Sequence, residues 1–141
     1  MLLGGLGDDI LSGALGSNRL SGGPGADLFL FGTEIGGARF PGLIGIGQDS
    51  VMDFQQGQDR LDVSQLYLSQ GHDAARIFIG QAAFSGSGQP ELRYRFEAGW
   101  TVVELDRPVF AVGPGIGGDG QVDGTIRLLG QVALTAGDFI F

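Results

Sequence analysis

The stretch Gly4-Gly5-Leu6-Gly7-Asp8-Asp9-Ile10-Leu11-Ser12 is followed, without a slip of register, by Gly13-Ala14-Leu15-Gly16-Ser17-Asn18-Arg19-Leu20-Ser21 and Gly22-Gly23-Pro24-Gly25-Ala26-Asp27-Leu28-Phe29-Leu30. The eighth position of each nonapeptide is a large apolar residue (Leu11, Leu20, Phe29), and one period earlier it falls on Leu2. The sixth position carries an oxygen-bearing side chain: Asp9, Asn18, Asp27. A flexible glycine-rich linker would keep neither feature. The first six positions predict a tight turn, where glycine adopts positive φ and leaves carbonyls exposed. The last three predict a short strand with its large residue pointing inward.

The pattern resembles the RTX, or hemolysin-type calcium-binding, nonapeptide, which winds into a parallel β-roll. In that fold two nonapeptides make one coil, so the loops Gly4–Asp9 and Gly22–Asp27 are expected to stack. Calcium takes about six to eight oxygens at roughly 2.3–2.6 Å, more than one loop supplies. An ion between stacked loops gathers carbonyls from both and neutralises Asp9 and Asp27. Without it the carboxylates repel and the glycine-rich loops have little reason to order. Leu2 fills the inward position of a repeat whose loop is missing, so the chain is expected to open in mid-coil, truncated at its N-terminus.

Composition agrees with this reading. The chain has 141 residues, fitting one domain, and 28 of them are glycine. Sixteen acidic side chains face eight basic ones, all arginine, for a formal charge of −8. Such a field disfavours nucleic acid and anionic lipid while suiting divalent cations. A hydrophobic content of 43% with ten phenylalanines excludes disorder by composition. Cysteine is absent, which removes disulfides, thiolate metal sites and a cysteine nucleophile. Neither a Sec-type signal peptide nor a stretch long enough for a transmembrane helix is present, so no stable membrane insertion is expected.

Beyond Phe29 the nonapeptide period ends. Gly36 to Gly47 reads as a glycine-rich loop, Val51 to Phe54 as a strand, Gly57 as a turn, and Leu61 to Leu68 as either a strand or a short helical turn. Glu91–Asp106 reads as a hairpin turning at Ala98-Gly99. The run Asp49-Ser50-Val51-Met52-Asp53-Phe54, continuing through Gly57-Gln58-Asp59-Arg60-Leu61-Asp62-Val63-Ser64, resembles the C-terminal domain of serralysin-type secreted metalloproteases. Similar domains end type I secreted lipases and alginate epimerases. The resemblance resumes at Glu91–Asp106, Gly118–Asp123, Thr125–Gly130 and Leu134–Phe141, and departs at Arg107–Gly117, an apparent hairpin insertion, and at Gly124.

The resemblance implies an all-β fold: a short calcium-binding parallel β-roll of three nonapeptides continuing into an antiparallel, β-sandwich-like C-terminal cap. Residues 1–30 would be the roll and residues 31–141 the cap, together one domain. It implies calcium ligands at the second, fourth and sixth positions of each repeat: Gly5, Gly7 and Asp9; Ala14, Gly16 and Asn18; Gly23, Gly25 and Asp27. Backbone carbonyls serve at the first two positions of each set, and Asn18, lacking a charge, weakens its own site. Asp49 and Asp53 either complete a site at the end of the roll or cap strands. Asp119 and Asp123 fit a turn. The ending Asp138-Phe139-Ile140-Phe141 matches the uncleaved signal read by a type I secretion ABC transporter, which implies a secreted protein.

Catalytic motifs are missing from the sequence. A His-Glu-x-x-His zinc helix needs two histidines, and only His72 exists. No Gly-x-Ser-x-Gly elbow occurs. The chain therefore reads as a non-catalytic, calcium-binding domain that folds on extracellular calcium. The alternatives are the C-terminal part of a secreted zinc metalloprotease or other hydrolase, or a polysaccharide-binding module with Trp100 and Tyr94 as sugar platforms. Open roll ends also leave room for a homodimer.

Overall fold

A computed structural model describes residues 1–13, 16–32, 48–64, 77–106, 108–109, 116–117 and 120–141. Each inward position of the repeat lies in a short strand: β1 (Leu2–Leu3), β2 (Ile10–Ser12), β3 (Arg19–Ser21) and β4 (Leu28–Leu30). β1 pairs in parallel with β3, Leu2 opposite Leu20, and β2 with β4, Leu11 opposite Phe29. Successive strands thus alternate between two sheets, and one coil consumes two nonapeptides.

Coiling outlasts the sequence period. β5 (Asp49–Val51) and β6 (Arg60–Asp62) add another coil. A hairpin follows, β7 (Glu91–Glu97) and β8 (Trp100–Asp106), then an antiparallel pair, β9 (Pro108–Val109) and β10 (Ile116–Gly117). β11 (Gly124–Leu129) and β12 (Phe139–Ile140) complete the last coil. One sheet runs β1-β3-β5-β11-β8-β7 and the other β12-β6-β4-β2. β11 pairs in parallel with β5 and antiparallel with β8, so the roll becomes the cap within one sheet.

The registers align the inward residues into two columns. Leu2, Leu20, Val51 and Leu128 form one; Leu11, Phe29, Leu61 and Phe139 form the other. All but Leu2 are buried. Outward residues at the first coil stay in solvent, Ile10 at 70% exposed and Leu6 at 88%. Burial of the columns drives closure, because short parallel strands supply few hydrogen bonds of their own.

The hairpin forms as its sequence predicts. Ala98 (φ 47°) and Gly99 (φ 85°) make a two-residue turn with both φ positive, which matches the twist of the flanking strands. Glu104 is buried on the hairpin and accepts from Arg93 Nε at 2.8 Å and Arg95 Nε at 2.7 Å, so its charge is compensated. Gly57 (φ 86°) is the expected turn residue. Leu61 and Asp62 lie in β6, whereas residues 65–76, with His72, fall outside the described residues, as do residues 33–47. Among the described residues no helix is long and apolar enough to cross a membrane.

Phe29→Ala should cost about 3–5 kcal/mol in urea unfolding with excess calcium, the penalty of emptying a fully buried ring site. Ile10→Ala, one residue before the inward position of its repeat but facing water, should change stability by no more than about 0.5 kcal/mol. Similar losses in the two variants would contradict the inward columns.

Candidate metal centre

The loops Gly4–Asp9 and Gly22–Asp27 lie directly against each other. Gly4, Gly5 and Gly7 donate their N–H groups to the carbonyls of Ser21, Gly22 and Pro24, each at 2.9 Å. Asp9 N donates to Asp27 Oδ1 at 2.9 Å. Glycine is required here for two reasons. Gly23 (φ 97°) is in the left-handed region, and a Cβ on it would collide with the Gly5 carbonyl oxygen. A Cβ on Gly22 would run into the Asp27 carboxylate.

Of the expected ligand positions, Gly5, Gly7, Asp9, Gly23, Gly25 and Asp27 come together in this pair of loops. The Gly5 and Gly7 oxygens lie beside Gly23 and Gly25. Asp9 Oδ2 and Asp27 Oδ2 are both buried and accept no hydrogen bond. A buried carboxylate oxygen with no donor carries a desolvation cost that only a cation or a proton would offset. Among the described residues no three His, Cys, Asp or Glu side chains gather as a metal site. A cation between these loops would therefore combine two carboxylates with backbone carbonyls, an all-oxygen set that fits calcium.

Asn18 and Gly16 lie on the opposite edge of the roll, and Ala14 falls outside the described residues. Gly16 has a positive φ of 99°, matching Gly7 at 100°, whereas Gly25 is at 153°. Asn18 N and Nδ2 donate to Asp49 Oδ1 at 2.7 and 3.1 Å, and Nδ2 also donates to Gly13 O at 2.6 Å. Asp49 thus stacks on Asn18, while Asp53 lies past the other end of β5. Asp53 Oδ1 accepts from Gly22 N, and Oδ2 from Gly23 N and the Ser21 hydroxyl. It caps the second loop where another loop's carbonyls would otherwise sit. The two aspartates do not share a site.

Asp59, absent from the expected ligand set, continues the ladder of carboxylates. Its Oδ1 accepts from Asp27 N at 3.0 Å and its Oδ2 from Gln55 N at 2.8 Å. Its spacing was a usable signal: it precedes inward Leu61 by two residues, as Asp9 precedes Leu11 and Asp27 precedes Phe29. At the C-terminus, Asp138 Oδ2 accepts from Thr135 N, Thr135 Oγ1 and Gln56 Nε2. Phe139 is buried against Phe78 and Phe141, with ring centroids 5.4 and 5.7 Å away. Ile140 O accepts from Val63 N. The expected signal residues are therefore also the closing strand of the second sheet.

Tyr94 is a core residue, and Trp100 lies half-buried with the Arg127 guanidinium 4.9 Å from its ring centre. Asp123 N donates to Leu105 O in keeping with its turn role, and Asp119 falls outside the described residues.

Burial raises the carboxyl pKa of Asp49 and of Asp59 above the ordinary 3.8; hydrogen bonds from Asn18, and from Asp27 and Gln55, oppose the shift, and the charges of Asp27 and Asp53 add to it at Asp59. Between 3.8 and the raised value the folded state holds more protons than the unfolded one. These two groups therefore make stability fall as pH rises through that window. Asp49→Asn keeps an oxygen for the Asn18 N–H and removes one buried charge. It should flatten this contribution, as read from the difference in urea midpoints between wild type and variant at one saturating calcium concentration across acidic to neutral pH.

A profile of the family described as "Peptidase M10 serralysin C terminal" matches residues 2–141. No curated protein matches the chain. Among solved structures, the solution structure of the AlgE6R3 subunit from the Azotobacter vinelandii mannuronan C5-epimerase is 25% identical, with 96% of this chain and 78% of that chain covered. Its TM-score of 0.32 is too low to bear on fold or function. With its profile spanning nearly the whole sequence, the chain belongs to the serralysin C-terminal family of M10 peptidases.

Proposed function

We propose that the chain is a calcium-triggered folding module that carries a type I secretion signal. The observation behind this reading is the pair of buried, donorless oxygens, Asp9 Oδ2 and Asp27 Oδ2, in two stacked glycine loops. Asp9, Asp27 and the carbonyls of Gly5, Gly7, Gly23 and Gly25 would hold the ion. Bound there, calcium supplies positive charge among acceptors that otherwise repel.

At the low calcium of a cytosol the loops bearing Asp9 and Asp27 stay open, which leaves the chain loose enough to be drawn through a narrow transporter. Outside the cell, calcium at about 10⁻³ M meets the roughly 10⁻⁴–10⁻³ M affinity range of extracellular modules. Binding to the folded form alone then stabilises it by mass action and retains it outside. Residues 1–30 and 31–141 would order together as one domain, since both sheets run without a break from strands of the first segment into strands of the second. Asp138-Phe139-Ile140-Phe141 would serve twice, as the transporter's signal while extended and as the closing strand once folded. Catalysis would belong to another part of a longer secreted protein.

Calcium added to chelator-treated chain should give a cooperative gain of β signal in far-UV circular dichroism, with magnesium giving none. Asp27→Ala should shift the midpoint at least about tenfold upward, equivalent to roughly 1.4 kcal/mol. A chain already folded in chelator and indifferent to calcium would refute the trigger. Separately, deleting Asp138–Phe141 should abolish export from cells carrying a type I system; undiminished export would remove the signal role from these residues.

A further inference from the structure

Among the described residues, facing loops of this roll present acceptors to one another, yet the levels are neutralised differently. Between Gly4–Asp9 and Gly22–Asp27 two carboxylate oxygens meet no donor. At two other levels among the described residues a side-chain amide stands between the acceptors. Asn18 Nδ2 bridges Gly13 O (2.6 Å) and Asp49 Oδ1 (3.1 Å). Gln56 Nε2 bridges Ala133 O (2.8 Å) and Asp138 Oδ2 (3.0 Å). Gln55 Nε2 takes the outer carbonyl of the second loop, Gly23 O, at 3.1 Å.

The orientation of these amides follows from their neighbours. A carbonyl and an ionised carboxylate only accept, so the NH₂ end of Asn18 and of Gln56 must face them. A primary amide offers two N–H donors, enough to join one carbonyl to one carboxylate. It does with partial charge what an ion does with full charge. A cation placed between Gly13 O and Asp49 Oδ1 would meet those same hydrogens, and binding there would require the amide to turn and abandon both bonds. The donor chemistry at this level does not fit calcium.

We infer that no ion sits between Asn18 and Asp49: the Asn18 amide takes its place, giving a roll whose Asp9–Asp27 level depends on calcium and whose Asn18–Asp49 level closes without it. The part concerning Asp9 and Asp27 rests on the function proposed above; the Asn18 edge does not. Backbone bonds agree with a preformed edge, since Ser50 N donates to Asn18 O and Met52 N to Leu20 O, both at 2.8 Å. In chelator the β3–β5 pairing would persist while the loops bearing Asp9 and Asp27 open. Calcium would then complete a partly built roll.

The test uses the full chain in two arms. In the first, calorimetric calcium titrations compare wild type with Asn18→Asp, Asn18→Ala and Asp27→Asn. Asn18→Asp should bind about one more ion than wild type, because it recreates a facing carboxylate pair with Asp49. Asn18→Ala should keep the wild-type ion count. Loss of an ion in Asn18→Ala, or no gain in Asn18→Asp, would overturn the inference. Asp27→Asn should lose an ion; if wild type binds none, the proposed function fails instead. The second arm then still decides the edge, even where a variant fails to fold. By amide hydrogen exchange of wild type in chelator, Asn18 and Ser50 N–H should be protected at least tenfold more than Asp9 N–H. Equal protection would overturn the inference.

Discussion

Stacking glycine-rich turns forces backbone carbonyls and carboxylates of one coil against those of the next, and the fold exists only where that crowding of acceptors is neutralised. The roll answers this in two ways. One level leaves Asp9 Oδ2 and Asp27 Oδ2 buried without donors, a demand that calcium would meet. Elsewhere among the described residues, amides from Asn18, Gln55 and Gln56 are inserted, or carboxylates accept backbone N–H groups, as at Asp53 and Asp59. Confining the ion to one level would give the module a trigger without making every coil depend on it.

The inward columns supply the other half of the stability and tie the two ends of the chain together. Phe29 stacks on Leu61, and Leu61 on Phe139, although insertions separate these residues in sequence. Long insertions are tolerated because loop-closure entropy grows slowly with length, while every completed coil buries another pair of large side chains. Since β12 closes the second sheet, residues at the extreme C-terminus take part in the same core as the repeats.

Much of this was legible in the sequence. An apolar residue every nine positions reveals inward strands because a coil of two equal halves repeats its environment at that interval. Ala98-Gly99 marks its hairpin because few residue pairs accept positive φ twice in succession. The continuation of the coil through Val51, Leu61, Leu128 and Phe139 was hidden, because the intervening segments destroy the period without changing the geometry. Asp59 escaped for the same reason, although its spacing to Leu61 matches that of the repeat aspartates.

By itself, then, the sequence determined the all-β class, the register of the three repeats, the glycine positions and the pairing of Asp9 with Asp27 across one coil. These are local or strictly periodic, so chain spacing alone carries them. Only the tertiary structure decided which acceptors face a donor and which face none. Asn18 lies over Asp49 and Gln56 reaches Asp138, pairs joined across the fold rather than along a repeat. Whether an oxygen is a ligand or merely a hydrogen-bond acceptor depends on what stands opposite it, and that is set by which distant segment the coil brings alongside.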